Sequence, residues 1–378
     1  MQTLTRIRQV LTPAALARIG LGWAAFLALT LARPLLAGGL TPPVLLLVLT
    51  AIVAVIVVCA FGVVAQAEKR AHRLGDPYGT LVLTLSIVVI EVILISAVML
   101  GPGEHATIAR DSVMAVSMII LNLVIGVALL VGGLRHGAMA PNRRGVSAYL
   151  GLLVVLLLCA FGLPALIGDG GAYTPAQAIP VLVLTVLLYA FFLQRQTGPQ
   201  KADFQEAVGA GASDDARRGS IRPILVAHRA EILARTVVLL VTVIPVVLLS
   251  HDMAALLDEG LDRFGAPVAL SGVLIALIVF LPETITTIRA AAGGEIQRVS
   301  NLCHGALVST VGLTIPAVLV IGLLTDQTVL LAAAPAEAAL LAATFALTAF
   351  SFLAGRATAL HGAAHLMLFA LYGLVVFS

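Results

Sequence analysis

The chain alternates between long apolar runs and short segments that carry nearly all of its charged residues. A helix that crosses a bilayer needs about 20 mostly apolar residues. The runs between charges predict eleven such helices, near residues 19–39, 43–66, 79–101, 112–134, 147–168, 175–194, 232–250, 266–288, 299–323, 336–355 and 357–377. The pattern therefore predicts an all-α integral membrane protein.

Composition excludes a soluble protein. Hydrophobic residues make up 60% of the chain and charged residues 11%, whereas soluble domains are about 25% charged. The first apolar run resembles a signal peptide, but Arg33-Pro34 follows it where small residues would mark a cleavage site. We therefore expect an uncleaved first helix. The three cysteines lie far apart in apolar runs, which argues against a disulfide framework or a zinc site.

The basic residues indicate how the helices are oriented. Cytoplasmic loops of membrane proteins carry an excess of Lys and Arg. If the N-terminus is cytoplasmic, 19 of the 22 basic residues fall on the cytoplasmic side, and only Arg33, Arg110 and Arg263 fall outside. This segregation places the C-terminus outside. It also accounts for the net charge of +3 without a nucleic-acid partner.

One polar stretch divides the chain into two similar parts. Residues 195–231 combine glycine, proline and charges of both signs, which is typical of a linker with little packed structure. After an N-terminal region at 1–42, five helices precede this linker (43–194) and five follow it (232–378). Because five is odd, the second set enters the membrane from the opposite side. Inverted repeats of this kind are typical of secondary transporters.

Two glutamates stand alone in these apolar helices, Glu91 in the third and Glu283 in the eighth. Both helices are the second of their half. An intramembrane carboxylate is costly and usually binds an ion or a proton. Two carboxylates brought together by a pseudo-two-fold axis offer oxygen ligands to a metal cation, and without the cation they repel one another and hold protons. The alternative is that each glutamate is a structural residue paired with a donor.

Further polar residues in the same helices are candidates for the cation and proton site. Pro282 precedes Glu283 and frees the carbonyl of Ile278, a cation ligand or simply a packing kink. The other candidates are oxygen-bearing or titratable side chains within the apolar runs: Thr84 on the Glu91 face, Ser117 and Asn122 of the fourth helix, and Asn301, His304 and Ser309 of the ninth. The alternative for the run in the ninth helix is close helix packing, and for His304 it is a simple hydrogen bond.

Three more residues outside this set could carry chemistry. Glu337 lies near a helix start, where interfacial water and the helix dipole would stabilise its charge. His361 and His365 lie four residues apart and could share a metal, but the sequence lacks the glutamate of a zinc-protease motif. An intramembrane enzyme has only this pair in its favour. No nucleotide-binding or hydrolase motif is present, and no cofactor is expected.

At these residues the chain resembles the cation/calcium exchanger superfamily, and within it the bacterial ChaA-type calcium/proton antiporters. The similar stretches are residues 75–80 leading to Glu91, then Leu281-Pro282-Glu283, Gln297-Arg298, Asn301, Gly305 and Thr314-Ile315-Pro316. The resemblance implies two inverted five-helix repeats in the bacterial inner membrane. It also implies that Glu91 and Glu283 carry the cation and protons, and that the long second and seventh helices slide to alternate access.

The chain departs from the better-known exchanger pattern, in which Asn lies three residues before each Glu. Val88 and Phe280 occupy those positions, so fewer oxygens are available. We therefore expect an antiporter that exports Ca²⁺, or Na⁺ and K⁺, in exchange for protons. The alternative is a membrane receptor or scaffold that transports nothing. The sequence leaves open the cation, the stoichiometry, assembly into a homo-oligomer and any regulatory role of the linker.

Overall fold

The computed structural model describes residues 12–36, 40–74, 106–206, 229–263 and 269–378, and also residues 81, 85, 88–89, 91–93, 95–96, 99–100 and 265. Nearly all of these residues are helical. Within these ranges the extended pairings are three isolated bridges between loops, and there is no strand. The expectation of an all-α membrane protein is confirmed.

The helices are numbered in chain order. They are α1 (Pro13–Leu36), α2 (Pro42–Leu74), α3 (helical residues described between 81 and 99), α4 (Ile108–His136), α5 (Arg143–Ile167), α6 (Pro175–Thr197), α7 (Arg229–Arg263), α8 (Ala269–Ala292), α9 (Ile296–Thr325), α10 (Pro335–Leu353) and α11 (Ala359–Val376). In the described part of the chain, eight helices are long and apolar enough to span a bilayer, or nine if α8, which is bent, counts as one span. Two π-helical turns lie within α4 and α5, at Ile119–Val124 and Leu158–Gly162.

Two helices are much longer than their apolar runs. The predicted spans 43–66 and 232–250 correspond to α2, with 33 residues, and α7, with 35 residues. At 1.5 Å per residue each is about 50 Å long, beyond the roughly 30 Å of a hydrocarbon core. Hydropathy detects only the part of a helix within lipid. The charged ends continue as helix until a breaker such as Gly265, whose φ is +63°.

Loops at the same end of the bundle are joined to one another. At the end that carries Arg143 and Arg298, called here the basic end, Met139 and Ala357 exchange backbone hydrogen bonds of 2.9 and 2.7 Å. At the opposite end, the Leu330 N–H donates to the Ala106 carbonyl at 2.8 Å. These contacts join loops that the charge distribution assigns to the same side of the membrane.

The first part of the linker is packed at the basic end. Residues Lys201–Phe204 form a 3₁₀ turn, and Phe204 is 1% exposed. Its ring lies 5.1 Å from Tyr149 and 5.9 Å from Phe192, measured between centroids. An unpacked linker was expected from residue 195, but α6 continues to Thr197 and this aromatic contact holds the next residues against α5 and α6.

The apolar side chains form two separate clusters. The larger one surrounds α4 and α9, the most buried of the described spans. The smaller one is formed by α1, α2 and α7, with Leu29, Ile56 and Leu249 among its members. Large apolar side chains on the outer faces remain exposed, as lipid contact requires. The helix pair α2 and α7 thus shares a core with α1 that is distinct from the core of the other helices.

A tryptophan on α1 compensates for a proline in α7. Pro245 has no N–H, so the carbonyl of Val241 loses its partner within the helix. The Trp23 indole N–H donates to that carbonyl at 3.1 Å. A Cβ atom on the neighbouring Gly22 would lie 3.2 Å from both Pro245 and Cys59, so glycine permits this approach of α1 to α2 and α7. The chain has no second tryptophan.

We expect Trp23→Phe to lower the unfolding free energy by about 1 kcal/mol, because a partly buried carbonyl loses its donor. In Pro245→Ala the helix regains its own N–H donor, so the same Trp23 substitution should cost less there. Thermal unfolding of the four proteins of this double-mutant cycle in detergent measures the difference. An equal cost in both backgrounds would contradict the assignment of this hydrogen bond.

Candidate functional site

Glu91 lies inside the bundle against the middle of α9. Its side chain is 4% exposed, and its Oε2 atom accepts a hydrogen bond of 2.7 Å from the Thr310 hydroxyl. Its other oxygen, Oε1, is buried and has no hydrogen-bond partner among the described residues. Thr310 is close to the midpoint of the 30-residue α9. Glu91 is therefore near half depth, about 21 Å along α9 from either end.

Glu283 is buried with both carboxylate oxygens unpaired. The residue is 5% exposed, and neither oxygen has a hydrogen-bond partner in the part of the chain that the structure describes. It faces a small cavity of about 10 Å³. Around it the cavity is lined by Ile120, Val124, Phe280, Thr284, Thr287, Leu302, Cys303 and Ala306. A carboxylate among mostly apolar side chains requires a proton or a cation to neutralise it.

The two glutamates both face α9 but lie at different depths along it. Glu91 is the ionisable group whose charge acts on Glu283. The α9 residues around Glu283, from Leu302 to Ala306, precede Thr310 by four to eight residues. At 1.5 Å per residue this displaces Glu283 by about 6–12 Å towards the basic end. The offset agrees with the short sequence distance between Glu283 and Arg289.

Helix α8 bends just before Glu283, which is the first residue of the second arm of the helix. The arms Gly272–Ile278 and Glu283–Ala292 differ in direction by 57°. Pro282 stands at the break, and an interior proline is a known cause of such bends. The Thr287 hydroxyl, one turn after Glu283, is buried in the same cavity, and its oxygen has no hydrogen-bond partner in the described residues. Thr284 also lines the cavity, but its hydroxyl donates to the Phe280 carbonyl at 2.9 Å, so Thr287 supplies the neutral oxygen that is left unpaired there.

Asn301 and Ser309, both proposed from the sequence as oxygen ligands, are bonded to other groups. Asn301 donates to the Phe204 carbonyl at 2.7 Å and accepts from Gln297 at 3.0 Å. Ser309 donates to the Gly305 carbonyl at 2.8 Å and accepts from the Tyr189 hydroxyl at 3.0 Å. These contacts tie α9 to α6 and to the linker. The structure therefore does not bring either side chain to the glutamates.

Asn122 joins a second buried polar group, located between α4, α10 and α11. It lies in the π-helical turn of α4 and donates to the Thr344 hydroxyl at 2.8 Å. Its Oδ1 atom is 3.2 Å from His365 Nδ1, and His365 Nε2 is 3.2 Å from the Ser351 hydroxyl. Every member of this group is buried. The group fixes the irregular turn of α4 against two neighbouring helices.

The other predicted residues are dispersed. Ser117 donates to the carbonyl of Val113, one turn earlier, at 2.6 Å. His304 contacts Ser300 through Nδ1 at 2.9 Å, and its Nε2 atom has no partner among the described residues. Thr84 falls outside the described residues. Of the six secondary candidates, none that is described hydrogen-bonds to either glutamate.

Two further candidates, the Glu337 carboxylate and the His361 imidazole, act as helix caps. Glu337 accepts from the backbone N–H of Ala334 at 3.0 Å, at the start of α10. His361 accepts from the backbone N–H of Thr358 at 3.2 Å, at the start of α11. His361 and His365 thus have separate partners. Within the described ranges, no group of three His, Cys, Asp or Glu residues could hold a metal ion.

Comparison with known proteins identifies the family of this chain. The family model described as sodium/calcium exchanger protein matches residues 44–198 and 235–378. The chain belongs to the sodium/calcium exchanger protein family. It is therefore a multi-pass membrane cation antiporter rather than a member of an enzyme class, and the resemblance found in the sequence is confirmed.

Similar proteins align with most of the length of the chain. The sodium-potassium/proton antiporter ChaA of Escherichia coli (strain K12) is 34% identical over 324 residues, covering 84% of this chain and 86% of that protein. The putative ionic transporter y4hA of Sinorhizobium fredii (strain NBRC 101917 / NGR234) is 32% identical over 318 residues, covering 82% and 83%. The crystal structure of the Ca²⁺/H⁺ antiporter YfkE has a TM-score of 0.62 at 18% identity, covering 96% and 98%. This last likeness establishes a shared fold.

Sequence reasoning did not select Thr310, which bonds to Glu91, or Thr287, whose unpaired hydroxyl lines the cavity at Glu283. Thr310 is one of several threonines and serines along α9, and its neighbour Ser309 points to a different partner. One helical residue turns a side chain by about 100°. Only the position of α3 against α9 distinguishes the two residues, and the sequence contains no direct signal for it.

We expect Thr310→Val to raise the cation concentration that gives half-maximal exchange by about tenfold, because Glu91 loses a donor worth roughly 1–2 kcal/mol. Thr310→Ser keeps a hydroxyl and should behave like the unmodified chain. Cation-dependent proton movement in everted vesicles measures both. Similar loss in the serine variant would show that threonine packing, and not its hydrogen bond, sets the affinity.

Proposed function

We propose that this antiporter exchanges Ca²⁺, or Na⁺ and K⁺, for protons at one site formed by Glu91 and Glu283. The observation that carries the proposal is the set of three buried carboxylate oxygens without a hydrogen-bond partner in the described residues. Left charged and unpaired in an apolar interior, such groups would cost several kcal/mol. Bound protons or a bound cation remove that cost.

Competition for the same oxygens couples the two substrates. When a cation binds, the carboxylates must be charged, so any protons that they hold leave. When the cation leaves, protons neutralise the carboxylates again. The bare site is the most costly state and is therefore rarely occupied as the protein changes access. Exchange, and not uptake of one substrate alone, follows from this cost.

The oxygen set bears on which cation is carried. Ca²⁺ takes six to eight oxygen ligands, whereas this site offers two carboxylates, Thr287 and Thr310. Val88 and Phe280 are buried at the positions where the common exchanger pattern has Asn. Fewer neutral oxygens require water to complete the shell, which suits Na⁺ and K⁺ as well as Ca²⁺. The name of the ChaA relative, a sodium-potassium/proton antiporter, supports the monovalent ions.

The two apolar clusters support a mode of alternating access. We infer that α2 and α7, with α1 packed on them, move as one body against the larger cluster. The buried members of the smaller cluster all come from those three helices, and Ile278 of α8 packs against them. Hydrogen bonds from Asn301 and Ser309 hold α9 to the linker and to α6. The glutamates would stay with the fixed part while access changes around them.

We expect Glu91→Gln and Glu283→Gln each to abolish cation-dependent proton release in everted vesicles, because an amide cannot exchange a proton for a cation. Glu337→Gln is the matched control, since Glu337 is a carboxylate that caps α10 away from the site. It should exchange at the original rate. Folding of each variant is checked by its chromatographic profile in detergent. Full exchange by either site variant would exclude the two-carboxylate mechanism.

A cation panel in the same vesicles distinguishes the substrates. With a pH gradient imposed, addition of Ca²⁺, Na⁺ or K⁺ should each dissipate the gradient if the site accepts all three, and less cation should be needed at higher pH. The sign follows from competition, because fewer protons then oppose binding. A chain that is only a receptor or scaffold would leave the gradient unchanged with every cation.

A further inference from the structure

A crevice at the basic end is lined by more positive than negative side chains. It lies between the start of α5 and the 3₁₀ turn of the linker, and it is lined by Arg143, Arg144, Ser147, Ala148, Gln200 and Asp203. It is widely open to its surroundings and has a volume of about 460 Å³. Neither arginine has a carboxylate within salt-bridge distance in the part of the chain that the structure describes. Asp203 is the acidic residue of the lining, so two positive charges face one negative charge.

The crevice opens onto the lipid-facing side of α5. Ser147 lies where the apolar run of this helix begins, and Val154, Val155 and Leu158 continue the same side at 56%, 46% and 47% exposure. Between them lies Gly151, and a Cβ atom placed there would meet nothing within 4 Å. This stripe of exposed apolar residues with a gap at the glycine leads directly away from the two guanidinium groups.

A headgroup with an attached acyl chain matches this arrangement. Guanidinium groups bind phosphate oxygens through paired hydrogen bonds. Basic pockets between transmembrane helices bind anionic lipid headgroups. A soluble anion would use the arginines but would gain nothing from the apolar stripe. We propose that this crevice binds the phosphate of an anionic phospholipid such as phosphatidylglycerol, whose acyl chain lies along α5 past Gly151.

The position of the crevice connects the lipid to the transport helices. One wall is α5, and the other is the turn that ends at Phe204. The carbonyl of Phe204 accepts from Asn301 on α9, and nearby Glu206 accepts from the backbone N–H groups of Gln297 and Arg298 at 2.8 and 3.1 Å. These bonds satisfy the first turn of α9, which would otherwise have unpaired donors. A lipid that bridges the two walls stabilises the packed linker and therefore the start of α9.

The test is the thermal unfolding temperature of the full chain purified in a neutral detergent. Phosphatidylglycerol should raise it by several degrees, whereas phosphatidylcholine and glycerol 3-phosphate at the same phosphate concentration should not. In Arg143→Gln/Arg144→Gln most of this rise should disappear. Arg135→Gln is the matched control, because Arg135 is exposed at the same end of the bundle and outside the crevice.

Two further variants keep the test decisive if the double arginine variant folds poorly. Ser147→Phe leaves both arginines in place but fills the mouth of the crevice, and it should also lose the rise. Asp203→Asn removes the opposing charge and should enlarge it. The proposal is overturned if the double arginine variant keeps the full response. An equal response to glycerol 3-phosphate would overturn it in favour of a soluble anion.

Discussion

The cost of leaving a carboxylate bare inside an apolar bundle is the constraint on which the proposed exchange mechanism depends. Glu283 has no hydrogen-bond donor among the described residues, and Glu91 has the Thr310 hydroxyl alone. A structural role would require donors enough to satisfy both groups, as buried polar side chains usually have. Their absence here is informative because other polar side chains nearby, such as Asn301 and Asn122, are well bonded. This contrast supports the proposal that the two glutamates bind mobile ligands.

The helices of the bundle fall into two groups. One is held together by polar contacts, and the other shares a mainly apolar cluster. Polar contacts hold α9 to α5 and α6, and they hold the π-helical turn of α4 to α10 and α11. By contrast, α1, α2 and α7 share an apolar cluster in which the Trp23 contact repairs the break at Pro245. This shared cluster holds the three helices together as one body. This division supports movement of the second group around a fixed site.

The sequence predicts the helices and the two glutamates for the same reason, which is the low dielectric of the membrane. Apolar runs must span it, and a charge within them must have a use. It does not predict the length of α2 and α7, because charged helix ends lie outside lipid. Nor does the sequence show which hydroxyl of α9 faces Glu91, because Ser309 and Thr310 are adjacent and differ only by a rotation about the helix axis. Asn301 was proposed as a ligand from its residue type, but its partners come from α5, α9 and the linker turn.

Proton release on cation binding tests the shared site most directly. Purified protein in a weakly buffered detergent solution is mixed with Ca²⁺, Na⁺ or K⁺, and the change in pH is recorded alongside the amount of cation bound. Exchange at Glu91 and Glu283 predicts that binding releases protons from the unmodified chain, and that Glu91→Gln/Glu283→Gln releases none. Cation binding to the unmodified chain without any release of protons would contradict a site at which the two substrates compete.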